Sequence, residues 1–214
     1  MSIEAEPVMG LRESKKHETR QLISDHATRL FIEKGFEATT IADVATASRV
    51  AKKTVTNYFA RKEDMALDHQ EEFVAGLART VTGRAVGESA LAALRREFLY
   101  GVERRDPVIG FAGERFCRMI ADSPTLTARL RDLHDQREEA LGRVLAEEAG
   151  AGVGDFTAYA VAAQLGSAQR VLFQRIMRLT LAGRSADEVA DTVAADARQV
   201  FGLLEESFGG YGVK

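Results

Sequence analysis

Cysteine is almost absent: Cys117 stands alone among 214 residues, so no intrachain disulfide can form and no zinc site can rest on thiolates. A secreted chain of this kind often carries paired cysteines, so a cytoplasmic setting is the simplest expectation. Proline occurs at Pro7, Pro107 and Pro124 only, and no helix needs to contain one. Two of the three follow Asp106 and Ser123, residue types that cap helix N-termini, where proline is best tolerated. No apolar run approaches the ~20 residues of a membrane span, so no membrane partner is expected. The opening MSIEAEPVMGLRESKK holds no apolar block of signal-peptide length, and residues 1–13 read as a flexible arm. Convincing period-2 alternation is missing, which argues against strands. The histidines at 17, 26, 69 and 134 show no i,i+4 pair for a metal. GAGVGD, residues 150–155, resembles a phosphate loop in part, but no strand precedes it and the full spacing is missing. No Ser-His-Asp or Cys-His arrangement follows from spacing. Enzymatic signals are therefore poor, and no enzyme, metal or cofactor is expected.

Helix is what the sequence does carry. Long stretches rich in Ala, Leu, Arg and Glu repeat with a 3.6-residue period, which predicts an all-α protein of about nine helices. The first is expected over about Ser14–Lys34, with Leu22, Ile23, Ala27, Leu30 and Phe31 as its buried stripe and Gly35 as its stop. A short second helix follows Thr40, which has capping-box spacing to Asp43. A short third covers about Ala51–Phe59, and a fourth starts near Lys62, where Glu63 and Asp64 suit the positive end of the helix dipole. Five longer helices are expected over roughly 88–104, 107–121, 124–149, 155–182 and 186–207. Asp155 is a candidate cap, and Ser185 with Glu188 forms a second capping box.

The net charge is −3, so any affinity for a polyanion must come from a local patch. Residues 49–62 supply one: Arg49, Lys52, Lys53, Arg61 and Lys62, with no acid among them. Two short helices joined by a few residues and packed on a longer one make a helix-turn-helix, whose second short helix enters the major groove. At 100° per residue, Val55 and Phe59 point one way with Tyr58 to the side, and Asn57 points the other way, flanked by Lys53 and Thr54. One face is therefore apolar and the other cationic and amide-bearing. Asn57 can bond an adenine edge, Lys53 can donate to guanine, and Thr54 can meet a thymine methyl or a phosphate. Lys52, Tyr58 and Lys62 lie near the helix ends, where phosphates run. Arg49 and Thr56 complete the candidate set. The competing reading of such a patch is a solvated surface, in which case the chain is an all-α ligand carrier or small-molecule enzyme.

TRQLISDHATRLFIEKGFEATTIADVATASRVAKKTVTNYFARKEDM, residues 19–65, resembles the DNA-binding head of the TetR family of bacterial transcriptional regulators. The matching residues are Thr19-Arg20, Leu30-Phe31, Gly35-Phe36, Thr39-Thr40, Ile41, Val44-Ala45, Val50, Thr54, Tyr58-Phe59 and Lys62-Glu63. The resemblance implies a DNA-binding domain over residues 14–60 and a ligand-binding and dimerisation domain over 61–214. It implies a homodimer on a palindromic double-stranded operator, released by a small-molecule effector, although an activator or co-repressor-dependent regulator would share these residues. By position, Thr40 would cap the second helix and face a phosphate. Lys52, Thr54, Asn57 and Tyr58 would face DNA, and Lys62 would bond the backbone at the start of the fourth helix. The chain departs from the family at four positions. Arg49 stands where Gly is usual at the turn, Ala51 where a Ser or Thr cap is usual, and Lys53 and Thr56 replace the common Gly and Tyr.

For the second half, FLYGVERRDPVIGFAGERFCRMI is the expected pocket region, with Phe98, Phe111, Phe116, Cys117 and Met119 as candidate lining and Gln169 further on. An apolar lining of this kind suggests a hydrophobic or amphipathic effector. The last two helices carry the candidate dimer stripe: Tyr159, Ala163 and Val171 on one, Val189, Val193, Val200 and Leu204 on the other. Small residues there allow close helix approach. The alternative is that this stripe meets only the chain's own core.

Overall fold

The computed structural model describes residues 11–152 and 156–214, with side chains from Glu13 onward. Asp155 therefore lies outside the described residues, as does most of the expected arm. Among the described residues, ten α-helices and one 3-10 turn make up the fold, and no strand occurs. The chain forms two compact units, Met1–Asp68 and His69–Lys214.

The first unit holds α1 (Leu11–Lys34), α2 (Ile41–Ala47), α3 (Lys52–Tyr58) and α4 (Glu63–Ala66). Its core is Ile23, Ala27, Phe31, Phe36, Val44, Val55, Phe59 and Met65, all buried. Gly35 ends α1 in the left-handed region at φ 90, and Phe36 then folds back edge-on to Phe31 with ring centroids 4.9 Å apart. Leu22 is exposed, against expectation: it sits one residue, about 100°, off the stripe of Ile23, Ala27 and Leu30. Ser24 is buried instead, and its hydroxyl lies 3.0 Å from the Met65 carbonyl oxygen and 2.5 Å from Asp68 Oδ2.

The second unit holds α5 (Gln70–Thr82), α6 (Ala90–Arg104), the 3-10 turn Pro107–Ile109, α7 (Glu114–Asp122), α8 (Pro124–Glu148), α9 (Thr157–Leu181) and α10 (Ala186–Phe208). Leu91, Leu94, Phe98, Leu141, Leu145, Leu165, Leu172, Ile176, Val193 and Phe201 form its core. Caps set the starts. Ser89 accepts from Ala92 N, Ser123 from Leu126 N, and Ser185 with Glu188 closes the expected capping box. Glycines let α8 and α9 approach closely: a Cβ at Gly142 would come 2.5 Å from Tyr159 Cδ1, and one at Gly166 would collide with Glu138. Arg84 is buried and fully paired. It grips Glu148 with both terminal nitrogens and donates through Nε to the carbonyls of Glu88 and Gly212, tying the C-terminal segment to the unit.

Two expected helices are each divided. The one expected near Lys62 is α4 and α5, because Leu67 leaves the helical region at φ −116, ψ 51, while Ser24 and Thr28 donate to the Met65 carbonyl. The one expected over 107–121 is the 3-10 turn and α7. Gly110 at φ 122 and Gly113 at φ 79 cannot continue an α-helix, and Gly110 lies so near Ile176 that a Cβ would come within 3.3 Å.

Candidate nucleic-acid interface and ligand cavity

The interface begins at Thr40. Its hydroxyl accepts from Asp43 N at 3.2 Å and donates to Asp43 Oδ2 at 2.7 Å, while Thr40 N donates to the same carboxylate at 2.8 Å. These bonds hold the Asp43 carboxyl below its ordinary range. Thr40 is exposed, as a phosphate contact requires, but its proton is engaged by Asp43. The cap is therefore the role that the hydrogen bonds define.

The turn after α2 explains the departure at Arg49. Val50 N bonds to Ala45 O at 3.0 Å and Arg49 N to Thr46 O at 3.2 Å, the paired bonds of a Schellman motif. That motif needs a left-handed residue at Arg49, which adopts φ 55, a conformation costing an L-residue about 1–2 kcal/mol. Ala51 then starts α3 from an extended conformation, φ −70 and ψ 147, with no side-chain cap.

On α3, Val55 and Phe59 are buried, while Lys52, Lys53, Thr56 and Asn57 are exposed together with Arg49. Thr54 and Tyr58 are half-buried at the flanks. Thr56 Oγ1 donates to Lys53 O at 3.1 Å. The helix is fixed at its end by Arg20 of α1, whose Nη1 donates to Tyr58 O at 2.7 Å and whose guanidinium stands 4.3 Å over the Phe59 ring. No role was expected for Arg20 from the residues alone, although it is one of those carrying the family resemblance.

Lys62 is engaged within the head. Its ammonium does not point outward toward a polyanion: Nζ donates to Phe36 O at 2.7 Å and Thr39 O at 3.0 Å, and lies 4.1 Å from the Phe36 ring centroid. Two of its three donors and one side of the charge are used inside the head.

In the second unit, α5, α6, the 3-10 turn, α8 and α9 surround a cavity of about 340 Å3. Leu77, Leu94, Phe98, Val108 and Ile109 give it apolar walls, and Arg137 and Gln169 are buried polar members of the lining. Of the candidate pocket residues, Phe98 and Gln169 line this cavity. Phe111 lines a separate recess of about 260 Å3 beside Arg105, Glu114 and Arg184. Phe116, Cys117 and Met119 line neither, because α7 packs against α8 and α9 and turns Cys117 and Met119 into the protein. Burial pushes the Cys117 thiol up to about 11, so it is protonated at neutral pH. Arg137 was missed. It sits in HDQREEA, which reads as a solvated helix face, and only the tertiary structure buries it.

The expected dimer stripe also divides. Val189 and Val193 belong to the chain's own core with Ala197 and Phe201, because the most apolar face of α10 meets α6 and α9. Val200 and Leu204 are half-buried against the same core. Tyr159, Ala163 and Val171 are exposed on α9, and Leu203, 76% exposed on α10, is the large apolar residue beside them in kind.

A helix-turn-helix head with an outward cationic, amide-bearing helix is the arrangement found in DNA-binding proteins. Residues 23–68 match the family model described as bacterial regulatory proteins, tetR family. The HTH-type transcriptional regulator TcmR of Streptomyces glaucescens is 28% identical over 151 residues, spanning 68% of this chain and 67% of that protein. The same fold occurs in the SmeT–triclosan complex, at 16% identity and TM-score 0.57 over 89% of this chain and 91% of that one. It occurs again in NalD, the secondary repressor of the MexAB-OprM multidrug efflux pump in Pseudomonas aeruginosa, at 17% identity and TM-score 0.54 over 86% and 97%. Over its first unit the chain is therefore similar to the DNA-binding head of tetR-family regulatory proteins, and over its length it shares the helical fold of solved members. No described helix is long and apolar enough to cross a membrane.

Proposed function

We propose that the protein is a cytoplasmic repressor that binds a palindromic operator as a homodimer and is released when a small amphipathic effector occupies the cavity of the second unit. The observation that carries this reading is α3, with Val55 and Phe59 inward and Lys52, Lys53, Thr56 and Asn57 outward. In this reading Asn57 and Lys53 read base edges, while Arg49, Lys52, Thr54 and Tyr58 position the helix on phosphates. Lys62 stabilises the head and does not touch DNA. Dimerisation is assigned to the outer faces of α9 and α10, through Tyr159, Ala163, Val171 and Leu203, with Val200 and Leu204 at the margin. The triclosan complex of SmeT and the repressor role of NalD support the effector and the sign of regulation.

The test is anisotropy of a labelled symmetric duplex, titrated with protein and then with compounds that raise the protein's melting temperature. The account expects two chains per duplex and release by at least one such compound. Compounds that tighten the complex would make the protein co-repressor-dependent. Turnover of a bound compound, with no duplex shift at low salt, would replace the regulator reading with a carrier or an enzyme.

A further inference from the structure

Arg137 is 6% exposed, and no carboxylate stands within ion-pair distance of it among the described residues. Its Nε is buried without a partner, its guanidinium lies 4.6 Å from the Phe73 ring centroid, and its Nη2 stands 3.6 Å from where a Cβ of Gly76 would be. Arg137, Gly76 and Gln169 all line the 340 Å3 cavity. A buried charge without a partner is strongly unfavourable, so its retention calls for a counter-charge.

The Asp106 and Glu138 charges act on Arg137 without forming an ion pair with it, and Glu138 Oε1 is itself buried without a hydrogen-bond partner. Asp106 accepts from Val108 N at 2.9 Å and lies 3.5 Å from Arg104; Glu97 lies 3.8 Å from Arg104; Glu138 lies 3.5 Å from Arg170. Glu72 lies 3.4 Å from His69 Nδ1. Burial lowers the Arg137 guanidinium to about 10, which still leaves it charged at neutral pH. The other buried arginine, Arg84, shows the contrast: its donors are met by Glu148 and by carbonyls, and it is not among the residues lining the 340 Å3 cavity.

We infer that the cavity takes an amphipathic molecule with one anionic group, a carboxylate, sulfonate or enolate, which Arg137 binds while Leu77, Leu94, Phe98 and Ile109 enclose the apolar frame. Gln169, whose Nε2 is held at 3.5 Å by Leu94 O, adds an amide oxygen for a neighbouring hydroxyl. The Phe73 ring covers one face of the guanidinium and leaves its edge donors for a forked contact with two oxygens. This deepens the effector reading above and rests on it.

The probes are 8-anilinonaphthalene-1-sulfonate and uncharged N-phenyl-1-naphthylamine, which share a ring frame and differ by the sulfonate. Fluorescence titration of the full chain is expected to show about tenfold or greater preference for the anion. Arg137→Gln should remove that preference by weakening the sulfonate alone, and Arg137→Lys should restore part of it. The ligand-free melting temperature of Arg137→Gln should stay level or rise, since a structural arginine would lower it. Displacement of the neutral probe by octanoate, but not by octanamide, repeats the comparison without a substitution. Equal affinity for the two probes, or equal displacement by octanoate and octanamide, would overturn the inference. So would Arg137→Gln weakening both probes alike. An anion preference that leaves duplex binding unchanged would uphold the site and refute its effector role. Release of the duplex by a compound, with no anion preference, would do the reverse.

Discussion

Lys62 and Phe36 are joined twice: the lysine ammonium donates to the Phe36 carbonyl oxygen at 2.7 Å and stands 4.1 Å from the centre of its ring. The bond to Thr39 O completes a clamp on the segment between α1 and α2. Lys62→Ala leaves two carbonyls without this donor, and the expected loss of stability is about 1–3 kcal/mol. Chemical denaturation measures it. DNA affinity, corrected for the unfolded fraction, should stay near wild type and keep its salt slope. A slope reduced by one contact would instead put Lys62 on a phosphate.

Arg49 and Ala51 are predicted to be improvable positions. Arg49→Gly relieves the left-handed strain at φ 55 and should stabilise the protein by about 1 kcal/mol. Its loss of one cation should also weaken duplex binding and flatten the salt slope by about one unit. Ala51→Ser supplies a cap to a residue already at φ −70, ψ 147, for about 0.5–1 kcal/mol. Melting curves and anisotropy at several salt concentrations check both.

Much of the head was legible because its determinants are local. Thr40 with Asp43, Gly35, the Arg49 turn and the opposition of Val55 to Asn57 all act within a few residues. The missed features depend on distant neighbours. Lys62 turns inward because Phe36 and Thr39 present carbonyls to it from across the head. The break at Gly110 follows from its approach to Ile176, and the burial of Arg137 from Phe73 and Gly76 on another helix. Val189 and Val193 made a regular stripe, but periodicity does not say which neighbour a stripe meets.

The dimer assignment separates two residues of α10. Leu203→Glu should dissociate the dimer, read by light scattering, with little change in protomer stability, since Leu203 is exposed. Val193→Ala should do the opposite and cost roughly 2 kcal/mol of stability, because Val193 is fully buried.

Stability should fall in mild acid. His134 is buried edge-on to Phe73 and Phe173, with ring centroids 5.0 and 5.3 Å away. Burial first, then the Arg137 and Arg170 charges, lower it from 6.5 to about 3. Between these values the unfolded chain binds the proton and the folded chain does not, so stability rises with pH and is lost as pH falls below about 6.5. His134 alone contributes a slope of up to about 1.4 kcal/mol per pH unit there. Urea midpoints at pH 5 and 7 should differ more for wild type than for His134→Phe.

Selection of duplexes from a random pool, followed by titration of the selected site with wild type and Asn57→Ala, tests the central claim most directly. The account predicts a two-fold symmetric site. Affinity should fall about 10³–10⁵ between 50 and 200 mM salt if six to ten phosphates are contacted. Asn57→Ala should change the preferred base at one position of each half-site. No enrichment, with wild type and Asn57→Ala alike failing to shift any duplex at low salt, would contradict it.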